Sequence, residues 1–303
     1  MPADIFTRIA KKKKQLDELR PFDATQVALL KEQLAIEYIY NSTSIEGNTL
    51  TLNETKLVLQ EGITIGGKPL REHLDVQNQQ EALTYIESIL KKKRIREVDI
   101  LKLHSITLKG ISDYWAGRYK TSQNRIIGSR LKTTPPYKVH TEMKQLVRML
   151  REKMHPVVLA AKAHHELVRI HPFVDGNGRT ARLLTNLLLM KHGYAPIIIQ
   201  QKDRKKYFAA LEQAHRGDVE PFQLFIARAE DAALLTYLNA LRRTTKKTEL
   251  LPLNELTGVY SQEYLSFLAR RGMLSATKIN GIWHSTRDAL QEYIASKRKY
   301  RKK

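Results

Sequence analysis

The chain has 303 residues, no cysteine, and 52 Lys+Arg against 31 Asp+Glu, a formal net charge of +21. That length suits one large domain plus a small one, and the lack of cysteine excludes disulfides and thiolate metal sites and fits a reducing cytoplasm. No run approaches the roughly 20 apolar residues of a membrane helix, so no membrane partner is expected, and Met-Pro-Ala-Asp-Ile-Phe at the start has neither the basic nor the apolar region of a secretion signal.

The apolar residues recur at helical spacing through most of the chain. Val27, Leu29, Leu30, Leu34 and Ile36 predict a helix over 24–40, and similar spacing predicts helices over 53–61, 74–90 and 96–108. Residues 116–140 break this rhythm. Gly117-Arg118-Tyr119-Lys120 and Asn124-Arg125-Ile126-Ile127-Gly128-Ser129, leading to Pro135-Pro136, predict a short hairpin or flap. Helices are expected again over 141–152, 157–169, 179–192 (closed by Gly193, with Pro196 beyond), 205–214 and 221–242. A basic stretch, Arg242-Arg243-Thr244-Thr245-Lys246-Lys247, reads as a linker to a final unit of about 50 residues. The expected fold is mainly α, with a small β-hairpin flap. Its division is an N-terminal helical region over 1–110, a core over 111–241, and a linker with a small C-terminal domain over 242–303.

Chemistry concentrates in one segment, Ile170-His171-Pro172-Phe173-Val174-Asp175-Gly176-Asn177-Gly178-Arg179-Thr180-Ala181-Arg182. Two glycines within three residues let the backbone curl and turn its N–H groups toward one point. An apolar helix starts immediately afterwards, so its unpaired N–H groups and positive dipole end face the same point. Such a loop is a phosphate cradle. Arg179 and Arg182 offer forked donors to terminal phosphates. Asp175 offers a hard oxygen to magnesium and Asn177 an amide donor, while His171 is a candidate general base. Pro172 and Phe173 are expected to fix and anchor the loop.

This segment resembles the Fic family signature His-Pro-Phe-x-Asp/Glu-Gly-Asn-Gly-Arg-x-x-Arg at every specified position, and the resemblance runs over roughly 41–229. The family implies a helical core with a small hairpin over the nucleotide. It also implies transfer of AMP from ATP to a Tyr, Thr or Ser hydroxyl of a target protein, the enzyme itself included. By that resemblance His171 deprotonates the hydroxyl and Asp175 holds Mg2+ on the ATP phosphates. Gly176, Asn177 and Gly178 then cradle the transferred phosphate, Arg179 and Arg182 hold the rest of the triphosphate, and Thr180 and Ala181 complete the nucleotide-binding stretch. Relatives that transfer a whole phosphate carry Ala and Lys where this chain has Gly176 and Arg179, so the intact loop favours AMP transfer. Tyr207 is open between a residue beside the adenine and an ordinary buried aromatic. Homo-oligomerisation is compatible with this reading.

Ser42-Thr43-Ser44-Ile45-Glu46-Gly47 resembles the inhibitory Ser/Thr-x-x-x-Glu-Gly/Asn motif of one class of these proteins. Its spacing puts Ser42 and Glu46 on one helix face. By resemblance Glu46 pairs with Arg182 and keeps ATP in an unproductive pose; in some relatives the same Glu supports AMP removal. Residues 121–127 occupy the position of the family's target-binding hairpin, which works by strand addition, and Lys120 stands where Arg is common. Two other patterns are set aside. Gly62-x-x-x-x-Gly67-Lys68 lacks the Ser/Thr and preceding strand of a P-loop, and His165-Glu166-x-x-Arg169 lacks the second His of a zinc helix.

From Leu253 the chain predicts a short helix, a turn at Gly258, a Ser261-capped helix, and a hairpin wing over 274–284 turning at Asn280-Gly281. A closing helix over 285–294 completes the unit. It resembles small winged helix-turn-helix domains. Its basic surround suits DNA, with Gln262, Arg270 and Arg271 as contacts, and the same fold also serves protein docking. The alternative to the enzyme is a DNA-binding regulator whose core binds ATP without significant catalysis.

Overall fold

The structure, a computed structural model, describes residues 3–22, 24–126, 132–244, 250–279 and 281–300. The chain is mainly helical, as expected. Helix α1 spans Ala3–Glu18, α2 Ala24–Ile45, α3 Leu52–Glu61, α4 Leu70–Ile89 and α5 Glu97–Leu108. Beyond the irregular stretch come α6 (Pro136–Met149), α7 (Pro156–Ile170), α8 (Asn177–Lys191), α9 (Arg204–His215) and α10 (Glu220–Thr244). Helix α1, which apolar spacing alone did not single out, buries Ile5, Ile9 and Leu16 against α10. Its Lys12 donates to Asp231 of α10 at 2.8 Å.

Local chemistry sets several boundaries. Thr51 caps α3 in a capping box with Glu54, and Gly62 ends that helix in the left-handed region at φ 67°. Helix α6 starts five residues before the expected position because Pro136 occupies its first turn, where a missing N–H costs nothing and a fixed φ helps. The segment expected as a hairpin carries one antiparallel bridge, Arg125↔Lys132. The predicted turn at Ile127, Gly128 and Ser129 lies outside the described residues.

One apolar core runs from Ile5 to Leu241, continuous across residue 110, with α7 and α8 packed together at its centre. A second, separate core runs from Leu253 to Tyr293. The latter belongs to a three-stranded antiparallel sheet of order β1-β3-β2, with β1 at Leu250–Pro252, β2 at Ala276–Ile279 and β3 at Ile282–Thr286. It is covered by α11 (Gln262–Arg270) and α12 (Arg287–Tyr300). The predicted short helix here is a 3-10 turn at Leu253–Leu256, and β1 is a strand not expected from the sequence. Position 280 of the wing turn lies outside the described residues. Lys278 of β2 approaches Glu61 of α3 at 3.5 Å, and Lys56 of α3 lies 5.6 Å from the Trp283 ring centre, so polar side chains join the two units. Among the described residues no helix is long and apolar enough to cross a membrane.

Candidate active site

Helix α7 ends because His171 adopts the left-handed conformation, φ 49° and ψ 57°, with its N–H on the Leu167 carbonyl at 3.0 Å. Among the described residues it is the one non-glycine at positive φ, a costly state that clusters at functional sites. The chain then buries Phe173 completely, face to face on the His104 ring at 3.6 Å. Gly176, at φ 75°, turns the backbone into α8. No side chain caps that helix, so its first-turn N–H groups and dipole face the loop.

One expected donor is absent from this face. The Asn177 side chain is buried and folds back on Phe173, accepting its N–H at 3.0 Å and donating to its carbonyl at 2.9 Å. Only the backbone N–H of Asn177 is left for a phosphate. Thr180 and Ala181 are likewise fully buried, and the Thr180 hydroxyl bonds the Gly176 carbonyl at 2.9 Å. Tyr207 lies in the core with its hydroxyl 2.8 Å from His164 Nε2, so of its two readings the buried aromatic describes its surroundings.

Arg182 is buried and held by the end of α2. Its Nε donates to Ser42 Oγ at 2.9 Å, and Nη2 donates to the Ser42 carbonyl at 2.8 Å and to Glu46 Oε1 at 2.7 Å. Ser42 sits in the last turn of α2, while Glu46 lies one residue beyond it, in the turn closed by Gly47 at φ 103°. The Glu46 carboxylate rests on Gly178, in the space a Cβ there would need. Arg204 secures this end of α2 by donating to the Ile45 carbonyl at 2.8 Å.

Arg179 is also buried, and two carboxylates hold it. Nη1 pairs with Asp75 of α4, and Nη2 with Asp175 at 3.2 Å. Arg71, from the same face of α4, donates to Asp175 Oδ2 at 2.5 Å. Each buried arginine keeps one nitrogen, Arg179 Nε or Arg182 Nη1, without a hydrogen-bond partner in the protein. Buried donors of this kind demand an acceptor, which an anion provides. Burial works against ionisation of Asp175, but Arg179, the Gly176 N–H and Arg71 together hold its pKa below the usual carboxylate range. Its carboxylate is half exposed at the mouth. Among the described residues no group of three or more His, Asp or Glu side chains could hold a metal. A single exposed hard oxygen fits magnesium carried in on phosphates rather than an all-protein cage.

His104, Asp75 and Arg71 were not legible as site residues. His104 Nδ1 accepts the Gly117 N–H at 3.0 Å, which leaves Nε2–H to donate to the Asp175 carbonyl at 3.0 Å. That tautomer is neutral, and burial lowers the pKa of the ring to about 4. The flap is tied down from the other side. Lys120 donates to Asn124 at 2.6 Å and Thr133 at 3.1 Å, and Asn124 donates to the Phe173 carbonyl at 2.8 Å. Burial lowers the Lys120 pKa to about 8.

His171 itself is only partly covered. Its Nδ1 lies 3.3 Å from the Val168 carbonyl, which leaves Nε2 to accept a proton. Its pKa is lowered to about 4, first by burial and then by Lys120, against the Val168 carbonyl, Glu46 and Asp175. The neutral, accepting form therefore persists down to acid pH. Activity needing this base is expected to stay level from about pH 6 to 7.5 and to fall only as the pH drops toward 4. An acid limb near pH 6.5 in the rate profile, or a matching titration of the ring by NMR, would contradict this.

The Fic/DOC family profile matches residues 94–189, the stretch that holds this loop. The solved structure of a Caenorhabditis elegans Fic-1 fragment superposes with a TM-score of 0.72 at 33% identity, covering 80% of this chain and 74% of that one. The chain belongs to the Fic/DOC family. A Fic domain containing signaling protein from Bacteroides thetaiotaomicron superposes on this Fic protein with a TM-score of 0.73 at 28% identity, over 80% of this chain and 99% of the other. Among curated relatives, the protein adenylyltransferase fic-1 of C. elegans is 37% identical over 215 residues, 69% of this chain and 42% of that protein. The protein adenylyltransferase Fic of Culex quinquefasciatus is 35% identical over 268 residues, 86% of this chain and 53% of that one. This Fic protein thus spans about half the length of the curated relatives it matches.

Proposed function

We propose that this Fic protein is a protein adenylyltransferase that moves AMP from ATP to a Tyr, Thr or Ser hydroxyl of a target protein, held in check by Glu46. The observation that carries this reading is the partly covered His171 imidazole beside the uncapped start of α8, with two buried guanidiniums each keeping a free N–H. In the proposed step the target hydroxyl oxygen attacks the α-phosphorus, and its proton passes to His171 Nε2. The bond from that phosphorus to the bridging oxygen breaks, and pyrophosphate leaves. The first-turn amides of α8 face the transferred phosphate, and Arg179 and Arg182 take the remaining charge. Asp175 would hold the magnesium that arrives with ATP, and the ion neutralises phosphate charge. Names of the relatives support adenylyl transfer. The cysteine-free composition supports a cytoplasmic setting.

Incubation with ATP labelled at the α or the γ phosphate tests the reading. Protein label from α-labelled ATP is the expected result, while label from γ-labelled ATP alone would make the enzyme a phosphotransferase. The C-terminal unit is proposed as a winged helix-turn-helix-like docking module. Exposed Gln262 and Arg270 on α11 and Arg271 just beyond it support DNA as its partner, and exposed Tyr264 and Phe267 on the same helix support a protein. A steep fall of DNA affinity with salt, without any labelling even after Glu46→Gly, would favour a DNA-binding regulator instead.

A further inference from the structure

Asp75 stands outside the family-matched segment, on α4, and 104 residues separate it from Arg179. Its side chain is 14% exposed and that of Arg179 4%. The two arginines assigned to the triphosphate are therefore both occupied, each by a carboxylate from an N-terminal element: Glu46 on Arg182 and Asp75 on Arg179. Of these only Glu46 belongs to the inhibitory motif. A phosphate approaching Arg179 must displace Asp75 or accept repulsion from it, because a carboxylate and a phosphate oxygen compete for the same forked donors. The repulsion grows with the phosphate charge brought close to Arg179.

We propose that Asp75 is a specificity-determining residue of the nucleotide site, competing with the outer phosphates of the nucleotide for Arg179. The inference rests on the nucleotide-binding part of the reading above, not on the transfer step. Nucleotides that need Arg179, ATP and ADP, are held back by Asp75, whereas AMP, whose single phosphate lies at the α8 amides, is not. Asparagine at this position keeps the side-chain shape and the Oδ1 acceptor while removing the charge. Glutamate keeps the charge.

Calorimetric binding of ATP, ADP and AMP with Mg2+ to the full chain tests this, in a His171→Ala background so that nothing is consumed. Asp75→Asn is expected to tighten ATP and ADP by roughly tenfold and AMP by less than about twofold. Asp75→Glu is expected to bind all three as the parent does. Equal tightening of all three nucleotides, or unchanged or weaker ATP binding in folded Asp75→Asn, would make Asp75 a mere structural partner of Arg179 and overturn the proposal. Should Asp75→Asn not fold, Asp75→Ser carries the same expectations. Binding separates this inference from the catalytic one: a protein that never transfers label can still show the ATP-specific change, and an active transferase can fail to show it.

Discussion

Glu46→Gly is expected to raise AMP transfer roughly 5- to 150-fold, the usual span of a coupling between two sites. The Glu46 carboxylate does two things at once. It occupies Arg182 Nη2 at 2.7 Å, and it fills the space above Gly178 in the first turn of α8. Glycine removes both obstacles. Folding should survive, because Arg182 keeps its hydrogen bonds to Ser42 Oγ and the Ser42 carbonyl. The lost pair has one partner 37% exposed, so its own contribution is nearer the ~1 kcal/mol of a surface pair than that of a fully buried one. The backbone beyond α2 already turns at Gly47, and Arg204 still holds the Ile45 carbonyl. Incorporation of α-labelled ATP into the protein itself and into lysate measures the change. A folded variant with parental incorporation would remove Glu46 from any account of regulation.

His171→Ala, made in the Glu46→Gly background, is expected to lower transfer by about 10²- to 10⁴-fold, the usual contribution of a positioned acid–base group. Nucleotide affinity should be nearly unchanged, since His171 lies outside the arginine and carboxylate cluster that would hold the outer phosphates. The split between lost turnover and retained binding is the diagnostic. Loss of both together would mean that the left-handed turn at His171 shapes the loop rather than supplying a base.

Thirteen consecutive residues carried most of the site, and that is why the sequence by itself determined it. A turn at Gly176, the helix start behind it, and side chains set at fixed offsets along both need only local geometry to converge. The mainly helical class was equally legible, since apolar residues at a 3.6-residue period bury one face whatever the partner. Ser42 and Glu46 were readable as a pair by spacing, and the pairing of Glu46 with Arg182, 136 residues away, came from resemblance, whereas the hold of Ser42 on Arg182 came only from the structure. Only the tertiary structure decided which polar faces of α4 and α5 meet the loop. Nothing in the sequence singles out Asp75, Arg71 or His104, and Arg71 even precedes the helix expected over 74–90. Periodicity says that a helix has a polar side, not what that side faces. The same holds for the inward turn of the Asn177 amide and the burial of Tyr207: in a close-packed interior the neighbours, not the residue type, settle whether a polar atom meets a ligand or a backbone carbonyl.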